Sequence, residues 1–200
     1  MAAKRVMDVV GSALGLVLLS PLFLLLAAAV VIDTGRPVLF RQVRLGRGLR
    51  EFRVLKFRTM KLDSSPEMHI EYIAKLATGQ ADPDGLKKLT ADPRVTRVGR
   101  FLRRTSLDEL PQLVNVFLGK MSLVGPRPAL EYELEHYQER HYERFAVKPG
   151  MTGLWQVSGR NEVGFTEMLD LDAEYARSSN LLTDLKILVK TPVAAISGAA

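Results

Sequence analysis

Asp108 and Glu109 stand side by side in SLDELPQL (Ser106–Leu113), directly behind an arginine-rich stretch. Two ionised carboxylates near several guanidinium groups suit chemistry at phosphorus. One acid attacks, the other holds a metal or handles a proton, and the cations neutralise phosphate oxygens. Neighbouring residues on a helix point in different directions, so a glycosidase-type pair facing across one bond is disfavoured. The structural alternative is a capping box, since Ser106 and Glu109 fit S-x-x-E. Pro111 is tolerated only in a first turn, so that reading starts a helix close to 106–108, with the acids at its positive end. Capping and catalysis are compatible.

The chain that must position these acids has 28 basic and 22 acidic residues, a formal net charge of +6, and no cysteine. Disulfides, thiol nucleophiles and cysteine-ligated metal centres are therefore excluded. The basic balance fits nucleic acid, anionic lipid or phosphorylated substrates. From Val9 to Ile32 no residue is charged, and the run is long enough for a bilayer core, which takes about 20 apolar residues. A signal peptide is the alternative, but its apolar region is typically only about 7–15 residues. Lys4 and Arg5 precede the run, and Arg36, Arg41, Arg44, Arg47, Arg50 and Arg53 follow it. Basic flanks prefer the cytoplasm, and here both qualify. Ser20-Pro21 lies midway, where proline opposes a continuous helix; the carbonyl of Val17, four residues back, is freed, and the Ser20 hydroxyl is a candidate partner. The expectation is a re-entrant helix over 1–35, broken at Ser20 and Pro21, that enters one leaflet and returns; a kinked span is the alternative. Gly11 and Gly15 are spaced for close packing.

Residues 36–200 read as a catalytic domain lying at the membrane surface, α+β and mostly helical, with interfacial amphipathic helices. VLFRQVRLG and RGLREFRVLKFRTM alternate apolar and basic residues around Gly46-Arg47-Gly48, predicting a β-hairpin with one apolar and one strongly basic face. A helix is expected around 67–76, with a loop after it. Arg94, Arg97, Arg100 and Arg103 recur at threes, which on a helix makes a basic stripe opposite Val95, Val98 and Leu102. Pro128 to Phe145, rich in glutamate, predicts a solvent-facing helix. Its His136 and His141 are five apart, the wrong spacing for paired metal ligands. Helix returns over 165–191.

KFRTM (Lys56–Met60), RRTSLDELPQLVNVFLGKMSLVGPRP (Arg103–Pro128), KPGMTGLWQVSGRN (Lys148–Asn161), LDAEY (Leu171–Tyr175) and DLKIL (Asp184–Leu188), in this order, resemble the bacterial sugar transferase family, the monotopic phosphoglycosyl transferases. The resemblance runs from the apolar segment nearly to the end. It implies transfer of a sugar-1-phosphate from a UDP-sugar to a polyprenol phosphate such as undecaprenyl phosphate, releasing UMP, as the first membrane step of glycan assembly. It implies Asp108 as a nucleophile forming a covalent aspartyl phosphosugar, with Glu109 completing the dyad. It further implies Mg2+ held by Asp108 and Glu109 together with substrate phosphates, and Lys56, Arg127 and Arg104 as phosphate-binding cations. Asp172 matches a late aspartate of the family, while Gly150, Gly153 and Gly159 would shape a loop near the site. Trp155 reads as packing rather than a base-stacking platform. Location at the cytoplasmic face of a bacterial inner membrane follows from the same likeness, with membrane lipid as a partner and a homo-oligomer left open. Larger relatives carry further membrane helices and an extra domain, so the chain resembles the minimal form or an excised catalytic unit. A non-catalytic membrane-docking module that binds anionic lipid or a partner enzyme is the rival from another class. A nucleic-acid binder ranks third, because no recognised nucleic-acid motif accompanies the basic residues.

Overall fold

A computed structural model describes residues 2–61, 67–77, 92–159 and 163–197. Two helices, α1 (Ala2–Leu18) and α2 (Ser20–Thr34), form the N-terminal apolar segment. They are bent by 62° at Leu19. Pro21 sits in the first turn of α2, where its missing N–H costs nothing. The Ser20 hydroxyl donates to the Val17 carbonyl at 2.7 Å, so the expected local repair of the break is present. Among the described residues no single helix is long and apolar enough to cross a membrane, whereas the bent pair passes that test together.

Both ends of this pair are fastened to the rest of the chain. On α1, the Lys4 ammonium donates to Asp184 Oδ2 (2.6 Å) and to the Val124 carbonyl (3.0 Å). Arg5 donates to the carbonyls of Val116 and Phe117, both at 2.8 Å. Asp8, buried, accepts from the Ser122 hydroxyl and the Leu123 N–H at 2.9 Å each. Gly11 and Gly15 lie against the side chains of Leu123 and Leu113, which explains their size. At the far end, Arg58 donates to the carbonyls of Thr34 and Gly35, supplying acceptor-rich helix-end backbone with a cation.

Strands β1 (Leu39–Leu45) and β2 (Glu51–Phe57) form the expected antiparallel hairpin, with Leu39 opposite Phe57 and Leu45 opposite Glu51. The two-faced pattern does not hold. In this register Phe40, Gln42, Arg44, Phe52, Val54 and Lys56 share one face, so each face carries both apolar and basic side chains. Arg44 is buried while Phe40 and Val43 are about half exposed.

Next come α3 (Glu67–Ala77), as expected, and α4 (Arg97–Arg104). The loop expected after α3 lies outside the described residues. Arg94 precedes α4 and pairs with Asp92 at 2.7 Å, so the helical stripe starts at Arg97, one arginine later than the spacing suggested. After a 3-10 turn at Leu107–Glu109 comes α5 (Gln112–Phe117). Strand β3 (Ser122–Val124) pairs in parallel with β4 (Gly150–Thr152). The backbones approach closely there: a Cβ on Gly150 would lie 2.0 Å from the Gly125 nitrogen. The segment expected as one solvent-facing helix is instead two 3-10 stretches, Glu131–His136 and Glu139–Ala146. They bury Glu133, His141 and Arg144, so the polar residues point inward to partners rather than to water. A single turn, α6 (Leu154–Val157), leads to α7 (Phe165–Ser178) and α8 (Leu181–Ser197).

The core that matters for the site joins α2 to the hairpin: Leu26, Val30, Phe57 and Leu102 are buried together, with Leu22, Leu107 and Leu110 packed against them. Leu107 and Leu110 flank the acidic pair. The inner face of α2 therefore fixes the position of the acids directly.

Candidate active site

Ser106, which precedes the acids, adopts a left-handed conformation (φ 56°, ψ 16°) and makes no side-chain cap. The expected capping box is thus not formed. The helix begins only after Pro111, and the acids ride on a separate 3-10 turn before it. On that turn the two side chains differ in exposure. Asp108 is buried (8 % exposed), whereas Glu109 lines a cavity of about 190 Å³.

Lys56 comes to this cavity from the end of β2, and its ammonium lies 2.6 Å from Glu109 Oε1. Asn115 on α5 holds the strand in place. Its side-chain oxygen accepts the Leu55 N–H at 3.0 Å, and its amide nitrogen donates to the Arg53 carbonyl at 2.8 Å. One asparagine thereby satisfies the outer edge of β2 and sets Lys56 beside the acidic turn. Burial pushes the Asp108 carboxyl up to about 6, with Lys56 pulling it down, Glu109 adding to the rise and Arg103 opposing it. The arginine that neighbours Asp108 electrostatically is Arg103, whose Nε donates to Thr59 Oγ1 at 2.9 Å. Arg104, expected to bind phosphate, lies on the exposed side of α4 and does not line the cavity.

Arg127 and Arg44 reach the cavity from another side. The Arg127 guanidinium donates to Glu133 Oε1 at 2.8 Å, and its backbone N–H donates to Asp172 Oδ2 at 3.1 Å. Arg44 donates to Gln42 Oε1 and to the Pro128 carbonyl. Burial drives the Arg44 guanidinium down to about 10, reinforced by the charge of Arg127. Burial opposes ionisation of Glu133, but Arg127 and Arg44 outweigh it and hold its carboxyl below the usual range. Asp172 does not line the cavity. It lies behind Arg127, fully buried, with Arg144 Nη2 2.5 Å from its Oδ2. Burial raises its carboxyl to about 6, partly offset by Arg144. Asp172 is a positioning residue for Arg127.

The cavity brings together Glu109, Lys56 and Arg127 from the expected set, with Asp108 one residue behind Glu109. It adds Arg44, Gln112, Trp155 and Gln156, which sequence reasoning did not assign to the site, and Gly150, which it did. Trp155 combines both roles, packing beside Phe165 and Leu169 and also lining the cavity. Cations converge here around a concave site, beside a carboxyl that burial pushes up to about 6, an arrangement chemically suited to phosphate oxygens.

The family model described as bacterial sugar transferase matches residues 1–198. The chain belongs to the bacterial sugar transferase family. Among curated relatives it is 46 % identical over 188 residues to the UDP-galactose-lipid carrier transferase of Erwinia amylovora, covering 94 % of this chain and 39 % of that protein. It is 43 % identical over 189 residues to the exopolysaccharide production protein ExoY of Rhizobium meliloti (strain 1021), covering 94 % of this chain and 83 % of the relative. It is 45 % identical over 188 residues to the undecaprenyl-phosphate galactose phosphotransferase of Salmonella typhimurium, covering 94 % and 39 %. The chain thus spans about two fifths of the length of some relatives and most of the length of others. Membership places the acid turn, Lys56 and Arg127 of this family member inside one matched unit.

Proposed function

We propose that this sugar transferase moves a sugar-1-phosphate from a UDP-sugar to a polyprenol phosphate, undecaprenyl phosphate in the reading its relatives' names support. The observation that carries it is the convergence of Lys56, Arg44 and Arg127 on a cavity whose rim holds the Asp108–Glu109 turn. The cations neutralise the donor diphosphate, and the rigid Arg127 fork grips phosphate through two hydrogen bonds. Asp108 Oδ attacks the β-phosphorus, the bond from that phosphorus to the UMP oxygen breaks, and UMP leaves with the electron pair. An oxygen of the lipid phosphate then attacks the same phosphorus, and the bond to Asp108 breaks, restoring the carboxylate. Such covalent catalysis gives ping-pong kinetics.

The donor set fits magnesium. Two adjacent carboxylates, one of them raised in pKa by burial and by its neighbour's charge, would be relieved by a divalent cation. Asp108 and Glu109 would hold it, and it would supply charge neutralisation at the donor phosphates. Lys56 holds Glu109 in place for this.

Contacts at the two ends of the helix pair support a re-entrant topology. Lys4, Arg5 and Asp8 tie the start of α1 to the body that Arg58 ties to the end of α2. A pair that leaves and rejoins one body on one side of a bilayer is re-entrant. Val6, Val10, Leu14, Val17, Leu18, Leu24, Leu25 and Ile32 are exposed on the pair, an apolar surface suited to lipid. Location at the cytoplasmic face of a bacterial inner membrane belongs to this reading.

A second assignment is favoured by one observation: Glu109, not Asp108, lines the cavity. Intact mass after mixing the protein with magnesium and UDP-sugars, without acceptor, tests both. A gain of one sugar phosphate is expected, and peptide mapping should place it on Asp108. An adduct on Glu109 would transfer the role to that residue. No adduct with any donor, together with no transfer to lipid acceptor by the parent protein, would leave the docking module as the better account.

A further inference from the structure

The cavity is lined by charged and by uncharged side chains: Lys56 and Arg127 are among the first, Trp155 and Gln156 of α6 among the second. Trp155 Nε1, a donor, and Gln156 Oε1, an acceptor, are both buried without a hydrogen-bond partner. Both side chains are held. The indole packs among Phe165, Met168 and Leu169 on α7. The Gln156 oxygen lies over Gly153, where a Cβ would approach it to 2.8 Å. An unmade hydrogen bond in a buried site is costly, so two such atoms on neighbouring residues that line the cavity point to a ligand that completes them.

We infer that Trp155 Nε1 and Gln156 Oε1 form a neutral recognition subsite for a donor group that both accepts and donates a hydrogen bond. This deepens the proposed function and rests on it. A UDP-sugar carries such groups at both ends: the hydroxyls of the sugar and the imide edge of the base. The diphosphate between them is satisfied by the cations, so these two residues select on uncharged chemistry. A site built to hydrogen-bond a substrate group discriminates strongly against ligands that lack it. Trp155 therefore acts by its N–H edge, with no stacking required.

Trp155→Phe removes the N–H and keeps most of the ring, and Gln156→Leu removes the acceptor at similar size. UMP binding to the purified full chain is measured by calorimetry, alongside kcat/KM for UDP-sugars that differ at one hydroxyl. If the subsite reads the base, both variants bind UMP about tenfold more weakly and rank the sugars as before. If it reads the sugar, UMP binding is unchanged and the preference among the sugars flattens by a similar factor. Either result supports the subsite. Unchanged UMP affinity and unchanged ranking in variants that melt like the parent would overturn it. Failure of the parent protein itself to bind UMP or to consume any UDP-sugar would instead remove the reading beneath it.

Discussion

Asp108 is held in a position that favours its protonated form, and this has a cost at neutral pH. Its folded value of about 6 exceeds the ordinary 3.8, so folding takes up a proton between those values. The contribution of Asp108 to stability is therefore most favourable below pH 3.8 and falls as the pH rises through 6. Asp108→Asn should remove that cost, raising stability by about 1–3 kcal/mol at pH 8 and by little at pH 3.5. Thermal melting in chelator at both values measures this, and the same variant should lose adduct formation and transfer. An equal gain at both pH values would show that the charge is not the cause. Glu133 behaves in the opposite way, since it is the buried anion between Arg127 and Arg44. Glu133→Ala should destabilise by about 3–5 kcal/mol, because it strands buried guanidinium charge. Chemical denaturation gives the number, and a loss below 1 kcal/mol would mean the cations find other partners.

At the scale of elements, helix α4 depends on Gly99. A Cβ there would lie 2.1 Å from the Thr59 carbonyl oxygen, a backbone atom that cannot swing aside. The contact seats α4 on the chain just beyond β2, with Thr96 N–H donating to the Thr59 carbonyl and Arg103 reaching Thr59 Oγ1. Gly99→Ala should therefore displace α4, move Arg103 away from Asp108 and cut both stability and adduct formation, though Ala favours helix elsewhere. Melting temperature and adduct yield read it, and a stabilised, active variant would show that the helix can shift at no cost. This dependence was not legible in the sequence, because a glycine within a basic helix carries no sign of what faces it. The long, strongly patterned elements were legible: the broken apolar pair, the hairpin, α3 and the C-terminal helical stretch, though not its division into α7 and α8. Strands β3 and β4, three residues each, are too short for a period to show. The 131–146 segment misled because its glutamates and histidines look solvated until Arg127, Asp170 and backbone groups are seen to face Glu133 and His141. Of the residues that the motifs singled out, Lys56, Glu109 and Arg127 line the cavity. Arg44 was hidden among six arginines that follow the apolar run, and only the register of the hairpin singles it out. Arg104 and Arg103 are neighbours of one type, and helix phase alone decides which faces Asp108.

For the whole molecule, the decisive relation is between the bent helix pair and the site. The inner face of α2 packs Leu22, Leu26 and Val30 against the chain carrying the acids, so helix pair and site are one mechanical unit. If the apolar outer face of the pair enters lipid, the acidic turn is held close to the depth at which an acceptor phosphate would lie. A spanning arrangement would instead have to release either the Lys4 and Asp8 contacts or the Arg58 contacts, since each end of the pair is bound to the same body. The absence of native cysteine allows a direct reading. Single cysteines at Ala3 and Phe40, both exposed positions on either side of the pair, should react with a membrane-impermeant maleimide from the same side of sealed vesicles. Labelling from opposite sides would mean a true span, and the body contacts of one end would then have to be absent in the membrane. Replacing Pro21 with leucine sharpens the comparison: restoring a backbone N–H at the bend favours a straight helix, so a share of molecules should shift toward opposite-side labelling and lose transfer activity together. Loss of activity with unchanged labelling would place the role of Pro21 in positioning the acids through α2 rather than in topology.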